Sequence, residues 1–254
     1  MPTIARLSIT PVKGLALHHP DRIRVERTGV PGNREFFLVD RAGRLFNAAK
    51  HGEIMQITAE YDADTDFLTV HFPDGATLSE QIHVGEQIPT NFWGRGVPGR
   101  YVNGSFADAF SSYVGRPVRL VRATTVGGAF DVGVLTFLSD GSVAELARQA
   151  GTGHIDPRRF RMLVDLAGCE PHEEDTWNRR AFRIGTALVR FGGPVPRCVI
   201  TTKDPDTGLR DFDALREIKN YRGLMPDGEG IPFGVYATVE EPGELALGDE
   251  LIPE

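Results

Sequence analysis

The chain has few cysteines: Cys169 and Cys198 are the only two in 254 residues. Two thiols build no disulfide framework and no CxxC metal pair, and they are too few to hold a cysteine-ligated two-iron cluster. Long apolar runs are also missing, and none is long enough to span a bilayer. The start, Met1-Pro2-Thr3-Ile4-Ala5-Arg6, has no apolar signal core. These absences lead to the expectation of a cytoplasmic protein with reduced thiols. Basic residues do not dominate: 28 Lys and Arg against 35 Asp and Glu give a net charge of −7. That balance argues against non-specific nucleic-acid binding, which needs a basic surface. There is no P-loop, no GxGxxG behind a strand, no HExxH and no GxSxG. Gly29-Val30-Pro31-Gly32 has turn chemistry, and His18-His19 precedes Pro20 with no third ligand nearby.

What is present is ordinary for a soluble globular chain, with 41% hydrophobic and 25% charged residues. Twenty-nine glycines and seventeen prolines suit many short strands and tight turns. Residues Leu7 to Lys13 read as a first strand, broken by Pro11 and Gly14, and Arg22 to Glu26 alternates like a half-buried strand. Two hairpins come next: Glu35–Asp40 with Arg44–Ala48, then Gln56–Tyr61 with Phe67–Phe72. A helix begins at Ser105, with Phe106, Ala109, Phe110 and Tyr113 on one face and Gly115 as its stop. Val118 to Val121 then reads as a strand and Thr124 to Gly133 as a loop. A second helix starts near Ser139 to Ser142, with Val143, Leu146, Ala147 and Ala150 as a core stripe.

Further on, Phe160–Leu166 and Ala187–Phe191 are strand candidates, and His172 to Trp177 reads as a solvated acidic loop. Asp213–Tyr221 is a short amphipathic helix, and Phe233–Val239 and Glu244–Leu247 are closing strands before a Gly248-Asp249 turn. The domain boundary is placed between residues 118 and 119. From Arg158 to Arg197 every cationic side chain is arginine, a residue suited to planar two-pronged grip on phosphate or carboxylate. A solvated strand face accounts for most of them, leaving one or two for an anion pocket.

The most informative stretch runs from Pro196 to Gly208. A Pro-Arg-Cys corner leads into Val199-Ile200-Thr201-Thr202, expected as a strand, and Asp204-Pro205-Asp206-Thr207-Gly208 closes it as a turn. Asp204 and Asp206 could be drawn as paired catalytic carboxylates, but turn chemistry explains them first. Cys198 is placed at a strand mouth beside Arg197, whose guanidinium favours the thiolate that ligates metals. A small buried hydrophobe is the plainer reading of the same cysteine.

The string Arg197-Cys198-Val199-Ile200-Thr201-Thr202 resembles the C-terminal signature of the MOSC superfamily, named for the molybdenum cofactor sulfurase C-terminal domain. The likeness is greatest to members with an added N-terminal β-rich domain, the amidoxime-reducing component group. It extends over Pro11-Val12-Lys13-Gly14, Gly32 to Asp40, Ser142, Phe160-Arg161, Glu174 to Trp177 and the Gly248-Asp249 ending. The resemblance implies a mixed α/β, β-rich fold: a MOSC-type β-barrel with short peripheral helices, preceded by an N-terminal β-rich domain. It implies that Cys198 ligates molybdenum and that Lys13, Arg34, Ser142 and Arg161 line the pterin and its phosphate, with Arg197 beside them. Three cations and a hydroxyl suit a phosphorylated organic cofactor. Three places depart from the family pattern. Gly14 stands where serine is common, Asn33 where aspartate usually precedes the arginine, and Met162-Leu163 where Pro-Asn is frequent. An asparagine hydrogen bond to the cofactor is absent at the last of these.

The activity implied is molybdenum-cofactor-dependent reduction of N-hydroxylated or N-oxide compounds. Electrons would come from a separate ferredoxin-like or cytochrome b5-like protein with its reductase. Two other readings stand beside it: a molybdenum cofactor or sulfur carrier that uses Cys198 for delivery without turnover, and a fold that has lost its cofactor. Cys169 is taken as structural.

Overall fold

The computed structural model describes residues 1–131, 133–226, 228 and 230–254. Among these, seven strands form one sheet in the order Thr3–Leu7, Val164–Ala167, Leu135–Ser139, Ile231–Glu241, Ala187–Arg197, Ala181–Ile184 and Leu251–Pro253. Its two edges meet. Thr3 bridges Glu250, Ile4 N donates to Asp249 O at 3.0 Å, and Leu251 N donates to Pro2 O at 3.0 Å, so the sheet curls into a nearly closed barrel. Leu7, Phe137, Val164, Trp177, Phe182, Phe191 and Val235 fill its interior. A second sheet runs Leu45–Phe46, Phe36–Asp40, Val118–Ala123, Gly99–Asn103 and His83–Ile88, and a three-stranded one joins Thr58–Asp62, Phe67–His71 and Thr77–Gln81. The protein is therefore β-rich, with short helices at the periphery. The sheets exchange chain: Thr3–Leu7 is an edge of the barrel sheet, and Arg22–Val25 pairs with Gly243–Ala246.

The helices obey local signals. Helix α1, Phe106–Val114, buries Phe106, Phe110 and Val114 and ends at Gly115, whose φ of 66° is the left-handed cap that glycine adopts without a Cβ penalty. Helix α2, Asp140–Gln149, crosses between Leu135–Ser139 and Val164–Ala167, which are parallel neighbours and need such a crossover. Helix α3, Ala214–Arg222, is capped by Asp213, whose side chain accepts from Arg216 N. The hairpin of Thr58–Asp62 and Phe67–His71 turns on the Asp62 carboxylate, which accepts from Asp64 N at 2.9 Å and Thr65 Oγ1 at 2.7 Å.

Four expectations are corrected. The first strand is Thr3–Leu7, not Leu7–Lys13; beyond it Ile9 and Val12 make only isolated bridges, because Pro11 cannot donate and Gly14 turns at φ 95°. Phe160 ends a 3-10 turn, Pro157–Phe160, and the strand begins only at Val164. His172 to Trp177 is not a solvated loop: Glu173–Trp177 is a 3-10 turn that buries Glu174 and Trp177. Val199–Thr202 is a 3-10 turn rather than a strand, since Thr201 Oγ1 donates to Cys198 O at 3.0 Å and Thr202 Oγ1 to Val199 O at 2.8 Å. The Leu135–Ser139 strand had no alternation to reveal it, because Phe137, Leu138 and Ser139 are all buried. Of the loop expected from Thr124 to Gly133, Val132 lies outside the described residues.

Candidate functional site

The Ala187–Arg197 strand is irregular where it approaches its end. Against Ile231–Glu241 its register slips between Phe191 and Pro194, and again between Pro194 and Pro196. Such bulges bend a strand and re-aim the side chains beyond them. They deliver Arg197 and an exposed Cys198 to a cavity of about 330 Å³. Beyond Cys198 the Asp204 carboxylate organises the expected turn, with Oδ1 accepting from Thr207 N at 2.7 Å, and Asp206 pairs with Arg158 at 2.7 Å. Gly208 then touches Gly52 so closely that a Cβ on it would sit 1.9 Å from Gly52 O, which fixes the end of the Cys198 segment.

The opposite walls come from distant chain. Lys13 N donates to Phe36 O at 2.8 Å and Arg34 N to Thr10 O at 2.7 Å, so these two segments position each other. Arg34 and Arg161 both have positive φ, 54° and 51°, an uncommon conformation for a bulky residue. Arg161 Nη2 donates to Leu15 O at 2.5 Å, and Arg34 Nη2 to Arg161 O at 3.3 Å. Four of the five cofactor-contact residues expected from the sequence, Lys13, Arg34, Arg161 and Arg197, therefore line one cavity with Cys198. Asp131 is the carboxylate that lines it among the described residues, with Lys13 Nζ 2.9 Å from its Oδ1.

Among the described residues, four cations face one carboxylate, a surplus of positive charge in a half-enclosed space. Burial pulls Lys13 down to about 8, with Asp131 opposing and Arg34 and Arg161 adding to the fall. Burial and then the neighbouring Arg34 bring the Arg161 guanidinium to about 9. Arg197 gives one Nη to Met162 Sδ at 3.1 Å and the other to Phe160 O, while its buried Nε has no partner among the described residues. An orphaned donor in a repelling cation cluster fits an anionic, acceptor-rich ligand. The residues suit a phosphorylated, sulfur-bearing cofactor with a soft metal, for which a cysteine thiolate is an apt ligand.

Ser142 does not belong to this cavity. It is fully buried at the start of α2, where its Oγ donates to Glu174 Oε1 at 2.7 Å and accepts from His172 N at 3.0 Å. Of Met162-Leu163, only Met162 lines the cleft; Leu163 packs in the barrel core. Asn33 serves the fold, its Oδ1 accepting from Thr10 N at 3.0 Å. Cys169 is half-buried, and burial together with Glu173, Glu174 and Asp140 pushes its thiol up to about 12, which suits an inert residue. Asp131, Trp93 and Tyr236 also line the cleft and carried no sequence signal. Burial pushes the Tyr236 phenol up to about 12, so it stays a neutral O–H. A larger cavity of about 590 Å³ opens between α2 and the Thr3–Leu7 strand, but its Arg6–Asp165 pair, 2.5 Å apart, answers its own charge and no thiol lines it.

A nearly closed β-barrel with an interwoven β-rich partner and a cysteine-tipped cationic cleft defines a recognisable class. Residues 1–117 match the MOSC N-terminal beta barrel domain and residues 131–252 the MOSC domain. The chain belongs to the MOSC-domain proteins that carry this N-terminal barrel. It is 26% identical over 279 residues to the mitochondrial amidoxime reducing component 2 of Macaca fascicularis, covering 97% of this chain and 82% of that protein. With human mitochondrial amidoxime-reducing component 1 it shares 24% over 277 residues, 97% and 81% of the two chains. It is also 25% identical over 280 residues to the molybdenum cofactor sulfurase of Oryza sativa subsp. japonica, covering 89% of this chain and 32% of that one. Among the described residues no helix is long and apolar enough to cross a membrane.

Proposed function

We propose that the protein is a molybdenum-cofactor-binding oxidoreductase that reduces N-hydroxylated or N-oxide compounds. The observation that carries this reading is the surplus of cations around the orphaned Arg197 Nε, beside an exposed Cys198. Cys198 Sγ would ligate the metal. Lys13, Arg34 and Arg161 would hold the phosphate, and Arg197 Nε would donate to the pterin side of the group. Bound there, the cofactor would supply the two-electron chemistry that removes an oxygen atom from nitrogen. In balance, an N–O bond is broken, two electrons and two protons are taken up, and the oxygen leaves as water. The relatives named for amidoxime reduction support the N-hydroxylated substrate class. The electrons would come from a separate ferredoxin-like or cytochrome b5-like protein with its reductase.

The protein's own task is positioning. Arg34 and Arg161 are tied to each other and to Leu15 O, so their guanidinium groups are already fixed before a ligand arrives. Met162 and Phe160 O aim Arg197 in the same way. The test is molybdenum and pterin content after purification from a cofactor-competent host, followed by amidoxime turnover with a supplied electron donor. Near-stoichiometric metal with turnover supports the proposal. Absence of both metal and pterin would sink it.

The exposure of Cys198 favours a second reading, a carrier that passes cofactor or a persulfide to an acceptor. Bound cofactor that transfers without any substrate turnover would select it.

A further inference from the structure

The cleft holds one group out of keeping with anion binding. Asp131 Oδ1 is engaged twice, by Lys13 Nζ at 2.9 Å and by Trp93 Nε1 at 2.8 Å. Its Oδ2 takes no hydrogen bond from any described residue, and the side chain is 47% exposed. A carboxylate pinned by one oxygen at the lining of the cleft thus keeps its other oxygen without a partner among the described residues. Burial would raise its proton affinity, but Lys13 and Arg34 outweigh it and hold Asp131 down at about 2, so it stays an acceptor.

Its partner is equally unusual. Trp93 is 66% exposed and sits at φ 53° in the two-residue turn between Asn91–Phe92 and Arg95–Gly96, followed by Gly94 at φ 91°. Asn, Asp or Gly ordinarily fills the first of these positions, and strain of this kind gathers at functional sites. The turn is stapled down. Arg95 Nε donates to Asp131 O at 3.1 Å and Nη2 to Gly128 O at 3.0 Å, while its guanidinium lies 4.3 Å from the Phe130 ring centre. A rigid indole face and a carboxylate oxygen with no partner among the described residues are therefore built as one unit at the cleft that contains Cys198.

We propose that Asp131 and Trp93 set substrate preference. Asp131 Oδ2 accepts the N–H of a planar N-hydroxylated amidine-type substrate, and the Trp93 indole covers its conjugated plane. N-oxides of tertiary nitrogen carry no such N–H and gain nothing from Asp131. This preference rests on the reductase reading and narrows its substrate class.

The test compares kcat/KM for benzamidoxime and pyridine N-oxide on one preparation, so that cofactor occupancy cancels in the ratio. In Asp131→Asn the side chain still accepts from Trp93 but can turn an amide N–H toward the substrate. The ratio should fall about tenfold, as loss of a charge-assisted hydrogen bond requires. A second readout needs no turnover. Of the two tryptophans Trp177 is 3% exposed, so fluorescence changes on titration report Trp93. Benzamide should give a saturable change that N,N-dimethylbenzamide gives only weakly. That change should weaken about tenfold in Asp131→Asn. In Trp93→Gly, a residue suited to the turn's φ, the kcat/KM ratio should also fall, and an unchanged ratio there would remove the indole from the proposal. An unchanged ratio, or a benzamide titration that Asp131→Asn leaves intact, overturns the proposal. If neither substrate turns over in the parent protein, the reductase reading fails, and the benzamide titration alone decides whether the Asp131–Trp93 site exists.

Discussion

Two clusters of polar side chains in this protein are built on opposite terms. In the cleft, Lys13, Arg34, Arg161 and Arg197 crowd the one carboxylate among the described residues, and Arg197 Nε has no described partner. At the start of α2 the buried Glu174 accepts from Ser139 Oγ at 2.6 Å, Ser142 Oγ at 2.7 Å and Ser139 N at 3.3 Å, and Ser142 Oγ accepts from His172 N. The second cluster is closed on itself and ties Glu173–Trp177 to α2 and the barrel. The first is open, with a buried donor that no described residue meets. Both contain residues expected at the cofactor, and the difference in satisfaction distinguishes the proposed binding site from a structural joint.

The comparison breaks most sharply at Cys198. Cys198→Ser should lower bound molybdenum per folded chain by at least about tenfold while shifting the melting temperature little, because the side chain is exposed. Full metal in that variant would end the ligand assignment. In the closed cluster, Glu174→Ala should cost about 3 kcal/mol in denaturant unfolding, since it strands two buried hydroxyls and a backbone N–H. If that variant unfolds like the parent, the cluster is not the joint described.

Lys13 sharpens the contrast through pH. Its folded-state pKa of about 8 lies below the ordinary 10.5, so the folded chain binds fewer protons than the unfolded one between those values. Its penalty is full below pH 8 and fades as pH rises toward 10.5. Cofactor-free Lys13→Met should therefore be more stable than the parent at pH 7, by about 2 kcal/mol, with the gap closing by about pH 10. The same variant should bind cofactor poorly. A variant less stable than the parent at pH 7 would show that Lys13 supports the fold rather than opposing it. Smallest of all, Ser142→Ala should cost about 1 kcal/mol and leave molybdenum content unchanged. Loss of metal at constant stability would return Ser142 to the cofactor.

Much of the architecture was legible locally. Phe106, Phe110 and Gly115 marked α1, Asp213 marked the start of α3, and the Asp62-Ala63-Asp64-Thr65 turn marked a hairpin. Reading failed where neighbours in space override neighbours in sequence. The β-branched run Val199–Thr202 looks like a strand, yet its threonine hydroxyls take local carbonyls instead. The acidic run at Glu173 looks solvated, yet Glu174 is fully buried because two serines and an amide meet it. Trp93 and Asp131 gave no signal, since an indole and a carboxylate 38 positions apart have no pattern to share.

By itself the sequence determined the elements whose cause is local: caps, turns, alternating strands, and a Pro-Arg-Cys corner able to present a thiol. It also determined which side chains were available, including the arginines that became the cleft wall. Only the tertiary structure decided which of them meet. Barrel closure and the bulges in Ala187–Arg197 bring residues 13, 34, 131, 161 and 198 to one cavity. The same closure buries Ser142 among partners that satisfy it. The physical reason is that a charge or hydroxyl carries no fixed role along the chain. Its role is set by the dielectric and the partners around it, and those come from segments far away in sequence.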